Sequence, residues 1–409
     1  MQVTFGIDVS KSTSTICELI GDSKNEFTIT NDRPGFVKLL HELAAFTKQP
    51  QIIFEATGVY SLRLQAFLED YGYKYVVLNP LKAKKEMDLG LRHNKTDKTD
   101  AYHLALIQRL YHHPVSQNQS QAYRQLNALS RFYDQLTSDL VIAKNRLHQA
   151  LQSTFPEIEN LFSIARGNNY WQIVVHYPHC DSVRKENKRQ IINWLMNLKG
   201  IAFKHAQKTA DNLIELAHKA YPVVSETSIE VQQVQYYAQR LLNLSKQREQ
   251  LITRMVKLAK TLPNHDLENL ESIPGFAQTT AVRVLAELGD VRRFSNPNKI
   301  NAFIGIDPGR YQSGEMDSNL SITKHGNAVA RNKLLYQAID QIDNAAKTNP
   351  CHIANYYESK KLSSQTKGFK KIAIASIHKL IRTIYALIIN DQPYDYNIAT
   401  HNQKDFSRN

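Results

Sequence analysis

Gln2–Ser10, QVTFGIDVS, and Gln51–Gly58, QIIFEATG, decide the fold. In the first stretch Val3, Phe5, Ile7 and Val9 alternate with Thr4, Gly6 and Asp8, the period of a strand. The second sets Ile52, Ile53 and Phe54 in a row before Glu55 and reads as a buried strand. Each therefore ends on a carboxylate, Asp8 or Glu55. Charged residues that end buried strands usually serve chemistry or a specific partner.

The neighbouring sequence extends this pattern. STICELIG (14–21) and NEFTITN (25–31) read as two further strands, and RPGFVKLLHELAAF (33–46) has helical periodicity after a Pro-Gly start. SLRLQAFLEDYG (61–72) is an amphipathic helix stopped by Gly72. YKYVVLNP (73–80) is a strand stopped by Pro80, and KTDAYHLALIQRLYHH (98–113) is another helix. A strand meander followed by helix, strand, helix, strand and helix predicts a mixed-sheet α/β fold of the ribonuclease H type.

KTDKTDA (95–101) repeats a Lys-Thr-Asp triplet and sets Asp97 and Asp100 three residues apart, neighbours on one helix face. With Asp8 and Glu55 they predict one carboxylate cluster at a sheet edge. Two unit charges about 4 Å apart repel by roughly 4 kcal/mol at an effective dielectric of 20, so such a cluster calls for divalent cations. Mg²⁺, a hard ion, suits oxygen ligands, and a pair of ions about 3.5–4 Å apart can promote phosphodiester attack. Lys95 and Lys98 would then face phosphates. Taken by themselves, Asp97 and Asp100 also read as an acidic first turn that complements the helix dipole.

Composition sets the wider frame. The chain has 409 residues, 42% of them hydrophobic, and a formal net charge of +13, which favours globular domains and a polyanionic partner, most simply nucleic acid. Cys17, Cys180 and Cys351 have no paired spacing, so a cytoplasmic, reducing environment is expected. His176, His179 and Cys180 in HYPHC form a weak metal signal. The N-terminus lacks a signal-peptide pattern, and no apolar run approaches the roughly 20 residues of a membrane span, so no membrane is expected.

Further along, Leu129, Tyr133, Leu136, Leu140, Ala143, Leu147 and Ala150 step by four and three, a heptad seam. A second seam runs through Val231, Val234, Ala238 and Leu241, then Leu251, Met255, Leu258 and Leu262. Two long helices follow, paired within one chain or with another subunit. The stretch from 153 to 225, with Trp171 and Trp194, reads as a small helical insertion without evident chemistry.

Pro274-Gly275 between helical patterns resembles a helix-hairpin-helix turn, or a plain interhelical turn, and Gly275 is a candidate for phosphate contact. Residues 298–339 read as a polar loop rich in Gly and Ser, leading to a helix. Lys324 and Arg331 are its flanking cations. Lysines spread over other segments, including Lys82, Lys84, Lys85, Lys367, Lys370 and Lys371, suit backbone contact with a duplex.

The phrases GIDVSK, FEATGVY, NPLKAKK and RHNKTDKTDAYHLA resemble the N-terminal domain of DEDD transposases, the insertion-sequence one-ten family that includes Piv-type DNA invertases. The segment around residues 300–340 resembles that family's C-terminal transposase domain. The resemblance implies a RuvC-like fold whose tetrad Asp8, Glu55, Asp97 and Asp100 binds two Mg²⁺ ions. It also implies a serine nucleophile before the Lys-x-Gly element, which YQSGE places at Ser313. Ser318, Ser321 and Tyr311 compete for that role.

The domains implied are 1–115, a RuvC-like catalytic domain; 116–265, a helical coiled-coil arm with an insertion; 266–395, a mainly helical transposase domain; and a tail, 396–409. The expected protein is a transposase or site-specific recombinase acting on double-stranded donor and target DNA through a phosphoserine link. A bridge RNA guide and a tetramer are implied as well. Two alternatives stay open: a metal-dependent junction-resolving nuclease with water as nucleophile, and an inactive RuvC-like nucleic-acid-binding protein.

Overall fold

β1 (Val3–Val9), β2 (Thr13–Ile20) and β3 (Ser23–Thr30) form the expected antiparallel meander. Ser10 closes the first turn, its N–H and hydroxyl both donating to the Thr13 carbonyl at 3.0 and 2.7 Å. Gly21 supplies the positive φ of 55° at the second turn. α1 (Arg33–Ala44) starts where the Asp32 carboxylate accepts the Gly35 N–H at 3.0 Å. β4 (Gln51–Glu55), α2 (Ser61–Asp70) and β5 (Tyr75–Leu78) follow, then α3 (Pro80–Met87) and α4 (Asp97–Tyr111). The sheet order is β3-β2-β1-β4-β5, with β4 parallel to β1 and β5 parallel to β4.

The computed structural model describes residues 3–87, 97–116, 119–162, 167–313, 316–363 and 368–406, without the side chains of 81, 87, 97, 309–320, 332–334 and 402–406.

Strand alternation gives the sheet two apolar faces. Phe5, Ile7, Ile16 and Phe54 share a core with Leu39 and Leu43 of α1 and Leu64 and Leu68 of α2. On the opposite face Cys17 and Leu19 meet Ala101 and Ala105 of α4, while Ile53, Val76 and Leu78 meet Leu104 and Ile107. α3 was not expected, because Pro80 reads as a stop. It is instead the first residue of a helix, where its missing N–H costs nothing.

The chain falls into two compact units, Met1–Asn118 and Gln119–Asn409. Among its described residues the second is helical apart from one hairpin. Its two long helices are α5 (Gln121–Thr154) and α10 (Ile229–Ala259), joined through α6 (Asn168–His176), α7 (Cys180–Arg184), α8 (Lys188–Met196) and α9 (Phe203–Lys219). Tyr133, Leu136, Leu140, Ala143, Leu147 and Ala150 of α5 are buried, as are Val231, Val234, Ala238 and Leu241 of α10. The helices run antiparallel, since Tyr133 meets Arg248, Asp139 meets Arg240 and Tyr237 meets Arg146.

Then come α11 (Asp266–Glu271), α12 (Gln278–Leu288), α13 (Pro297–Ile304), β6 (Pro308–Ser313), β7 (Met316–Ile322), α14 (Tyr336–Ala345), α15 (His352–Leu362), α16 (Phe369–Ile389) and α17 (Tyr396–Phe406). One apolar core runs from Tyr123 of α5 to Ile388 of α16, so the long helices and the C-terminal helices share it. α16 is, against expectation, long and apolar enough by length and composition to span a bilayer. It is a core helix here, with Ile377, Leu380, Ile381, Ile384 and Ile388 buried; the cations that interrupt its apolar run lie at Lys370, Lys371, Lys379 and Arg382.

Candidate active site

Ile7 of β1 stands opposite Phe54 of β4 in parallel register, so Asp8 and Glu55, the next residues, lie side by side where the strands end. Alternation puts both on the sheet face of Gly6 and Ile53, the face that α4 covers. Gly6 accounts for the close approach of that helix: a Cβ there would stand 2.1 Å from the Ala101 carbonyl oxygen and 2.9 Å from Ala105 Cβ. Farther along α4, Arg109 Nη1 donates at 2.6 Å to the Gly21 carbonyl, next to Ile20, which pairs with Val3. α4 therefore runs antiparallel to β1, and its first turn comes to the end of β1 that carries Asp8.

Asp100 precedes Leu104 by one turn, and Leu104 packs with Ile53, so Asp100 lies toward β4. Asp8, Glu55 and Asp100 are all half-buried. Asp97 opens α4 in backbone position, and Lys98 beside it is exposed. Lys95 and Lys367 lie outside the described residues. Carboxylate oxygens at half-buried, accessible positions fit a hard divalent cation.

Among the described residues, His179, Cys180 and Asp181 bring ligand atoms within 4.8 Å of one another. Hydrogen bonding already explains this group. His179 Nδ1 accepts the Asp181 N–H at 3.2 Å and its Nε2 faces the Val224 carbonyl at 3.0 Å, so the imidazole caps α7. Burial pushes the Cys180 thiol up. His176, the third member of the sequence signal, instead stacks on Trp194 at 4.1 Å and 7°.

The polar loop expected before the Lys-x-Gly element is a β-hairpin. Ser313 pairs with Met316 at its tip, and Tyr311 pairs with Ser318. The sequence signal was available, since Gly314-Glu315 between paired strands is a two-residue connection with Gly first. Ser313 is thus a strand-end residue. Ser321 lies farther along β7 and is exposed.

Gly275 and Arg331, both expected near phosphate, have close neighbours within the fold. Gly275 has a φ of 88°, and a Cβ on it would stand 2.5 Å from the Gln341 carbonyl oxygen, so α14 covers it. Arg331 is buried, and its Nη1 donates to the Ile304 carbonyl at 2.7 Å; the guanidinium ties α13 to the helix that follows the hairpin. Lys324, Lys370 and Lys371 are exposed.

Sequence reading missed Asn327. Its Oδ1 accepts the N–H groups of Val329 and Ala330 at 3.1 Å each, while its Nδ2 donates at 2.7 Å to Glu287, which also pairs with Arg131 at 2.7 Å. Asn just before a helix is a capping signal, and it could have been read. Its buried carboxylate partner on α12 could not, because forty residues separate them.

Residues 5–156 match a family model described as "Transposase", of the DEDD type of IS110 elements, and residues 267–358 match the "Transposase IS116/IS110/IS902 family". The chain is 24% identical to the pilin gene-inverting protein of Moraxella bovis over 96% of its own length and 98% of that relative. It is 29% identical to the transposase for insertion sequence element IS1111A of Coxiella burnetii, over 32% of this chain and 35% of that one. It is also 22% identical to an uncharacterized 43.6 kDa protein of the insertion element IS110 in Streptomyces coelicolor, over 96% and 95% of the two lengths. With transposase signatures on both the strand-end carboxylates and the serine hairpin, the chain belongs to the IS110 family of transposases, enzymes of DNA recombination.

Proposed function

We propose that the chain cuts and rejoins double-stranded DNA through a phosphoserine link on Ser313, with Asp8, Glu55, Asp97 and Asp100 as ligands for two Mg²⁺ ions. The observation that carries this reading is the meeting of Asp8, Glu55 and the first turn of α4 at one strand end, under a helix seated on Gly6. The strand order β3-β2-β1-β4-β5 supports a RuvC-like fold, and the buried stepping positions of α5 and α10 support a coiled-coil arm. The domains are then 1–115, 116–265, 266–395 and a tail.

In this mechanism the Ser313 hydroxyl attacks phosphorus. A Ser–O–P bond forms, the bond to one deoxyribose oxygen breaks, and that oxygen leaves as a hydroxyl. A hydroxyl of the exchanged DNA end later attacks the phosphoserine and frees the serine. No external energy source is needed, because each step trades one phosphodiester bond for another. Asp8, Glu55, Asp97 and Asp100 would hold the magnesium, which when bound would supply charge neutralisation at the phosphate and lower the pKa of an attacking hydroxyl.

Recognition is delegated to a bridge RNA. The exposed cations Lys82, Lys84, Lys85, Lys98, Lys370 and Lys371 suit backbone contact, and base pairing then supplies sequence. The full-length match to a pilin gene-inverting protein fits site-specific inversion as well as transposition. The enzyme acts as a tetramer in which the tetrad of one subunit works with Ser313 of another. Mixing Asp8→Asn with Ser313→Ala protein tests this: recombination should return in the mixture, whereas a mixture as inactive as each variant would place both halves of the chemistry in one subunit. Protein purified with its locus should carry a discrete RNA, and site-specific recombination by RNA-free protein would exclude guidance.

A further inference from the structure

The segment between the two family matches, from 157 to 266, builds a groove of its own. The His176 ring lies flat on Trp194, centroids 4.1 Å apart and planes at 7°, with Tyr177 edge-on to both. His176 and Gln235 line two adjoining hollows. One, of about 330 Å³, adds Trp194, Gln172 and Gln239. The other, of about 370 Å³, adds Ser228 and Gln232.

We propose that this groove holds an unpaired nucleobase of a single-stranded nucleic acid, stacked at the His176–Trp194 pair and read at its edge by glutamine amides. A flat aromatic pair opening onto solvent is the usual platform for an unstacked base. Burial holds the His176 imidazole below its ordinary range, so it is neutral near pH 7 and presents a π face rather than a charge. Each glutamine offers one donor group and one acceptor, the complement of a base edge. Gln235 and Gln239 are exposed and make only long contacts of 3.3 Å, to Val175 and Asn243, so exchanging them for a base edge costs little. Ser228 lines the second hollow, and its Oγ has no hydrogen-bond partner among the described residues.

Charge is compatible with this ligand. Among the described lining residues the carboxylate is Glu226, which is paired with Lys185 and accepts from Ser182. Glu186 lies at the ring edge, its Oε1 3.8 Å from His176 Nε2, and accepts from the Tyr177 hydroxyl. Lys188 and Arg189, at the start of α8, are exposed cations for the adjoining backbone. The inference goes beyond the strand-exchange chemistry and rests on neither the tetrad nor Ser313.

The test is photo-crosslinking of the full-length protein to single-stranded oligonucleotides carrying 5-iodouracil, in DNA and RNA arms, with the adduct mapped by peptide mass spectrometry. The adduct is expected at His176 or Trp194, and the stronger arm identifies the strand type. Gln235→Ala/Gln239→Ala, changed only at surface positions, should bind the oligonucleotide about tenfold more weakly at an unchanged melting temperature. An abasic oligonucleotide should not distinguish the variant from wild type. Adducts mapping only outside residues 172–242, or equal affinity of variant and wild type for the base-bearing strand, would overturn the proposal. Adducts with a protein partner in place of the oligonucleotide would do the same. Asp8→Asn protein should crosslink normally, so failure of the cleavage chemistry leaves this test readable.

Discussion

Gly6 of β1 and Ala101 of α4 approach backbone to backbone, leaving 2.1 Å between a would-be Gly6 Cβ and the Ala101 carbonyl oxygen. Gly6 precedes Asp8 by two residues and Ala101 follows Asp100 by one, so this contact sets the separation of the carboxylates. Gly6→Ala must push the helix outward. Overpacking of this kind costs about 1–3 kcal/mol, and here it also displaces Asp100. The expected outcome is a lowered urea midpoint together with loss of recombination in the protein that remains folded.

Asp8→Asn, Glu55→Gln, Asp97→Asn and Asp100→Asn each keep side-chain size and remove one metal-binding charge. Each should abolish recombination in Mg²⁺ while leaving the melting temperature of the Mg²⁺-free protein unchanged or raised, because carboxylate repulsion is relieved. Melting curves with and without the cation check this. Full activity in the Asp8 or Asp97 variant contradicts the metal assignment.

The central sheet was legible because alternation, strand-end carboxylates and helix periodicity agree over residues 3–111. Asp8 and Glu55 stand out in any such reading, since each follows an apolar strand. α3 was hidden because Asn79-Pro80 signals both the end of a strand and the start of a helix. The β6–β7 hairpin was harder to read because its strands are polar and lack the apolar alternation that marks a half-buried strand, which left Gly314-Glu315 as its one local sign. The burial of Arg331 was not legible because local sequence cannot say whether a guanidinium faces solvent or the carbonyl of Ile304, which lies 27 residues away. The His176–Trp194 platform depends on the packing of α6 against α8, and no local pattern encodes it.

A buried ion pair joins the long helix α5 to α12. Arg283 Nη2 meets Asp134 Oδ1 at 2.5 Å, with side chains 8% and 12% exposed, and the guanidinium groups of Arg283 and Arg248 lie 4.5 and 4.6 Å from the centre of the Tyr133 ring. Asp134→Ala leaves Arg283 buried and unpaired, which should cost about 3–5 kcal/mol. The double variant Asp134→Leu/Arg283→Met should recover most of that loss. A double-mutant cycle in urea measures the coupling, and additive losses would show that the pair is not a unit.

Low pH should weaken the second unit through His352. Its Nδ1 accepts the Tyr394 hydroxyl at 2.7 Å, and burial, helped by Lys379, pushes its pKa down to about 4. The folded state thus disfavours the protonated ring. This contribution is complete above the unfolded value near 6.5 and is lost as pH falls toward about 4, by at most about 3 kcal/mol. His352→Gln should flatten the fall in melting temperature between pH 7 and pH 4. An unchanged slope would assign the acid sensitivity to other groups.

The most direct measurement uses a suicide DNA substrate whose cleaved end cannot be rejoined. Wild-type protein in Mg²⁺ should give an adduct that survives denaturation, with the DNA phosphate mapping to Ser313 by peptide sequencing, and Ser313→Ala should give neither adduct nor cleavage. Cleavage by Ser313→Ala with no adduct in either protein would contradict the phosphoserine account and make water the nucleophile, whereas an adduct at Ser318, Ser321 or Tyr311 would move the nucleophile along the hairpin.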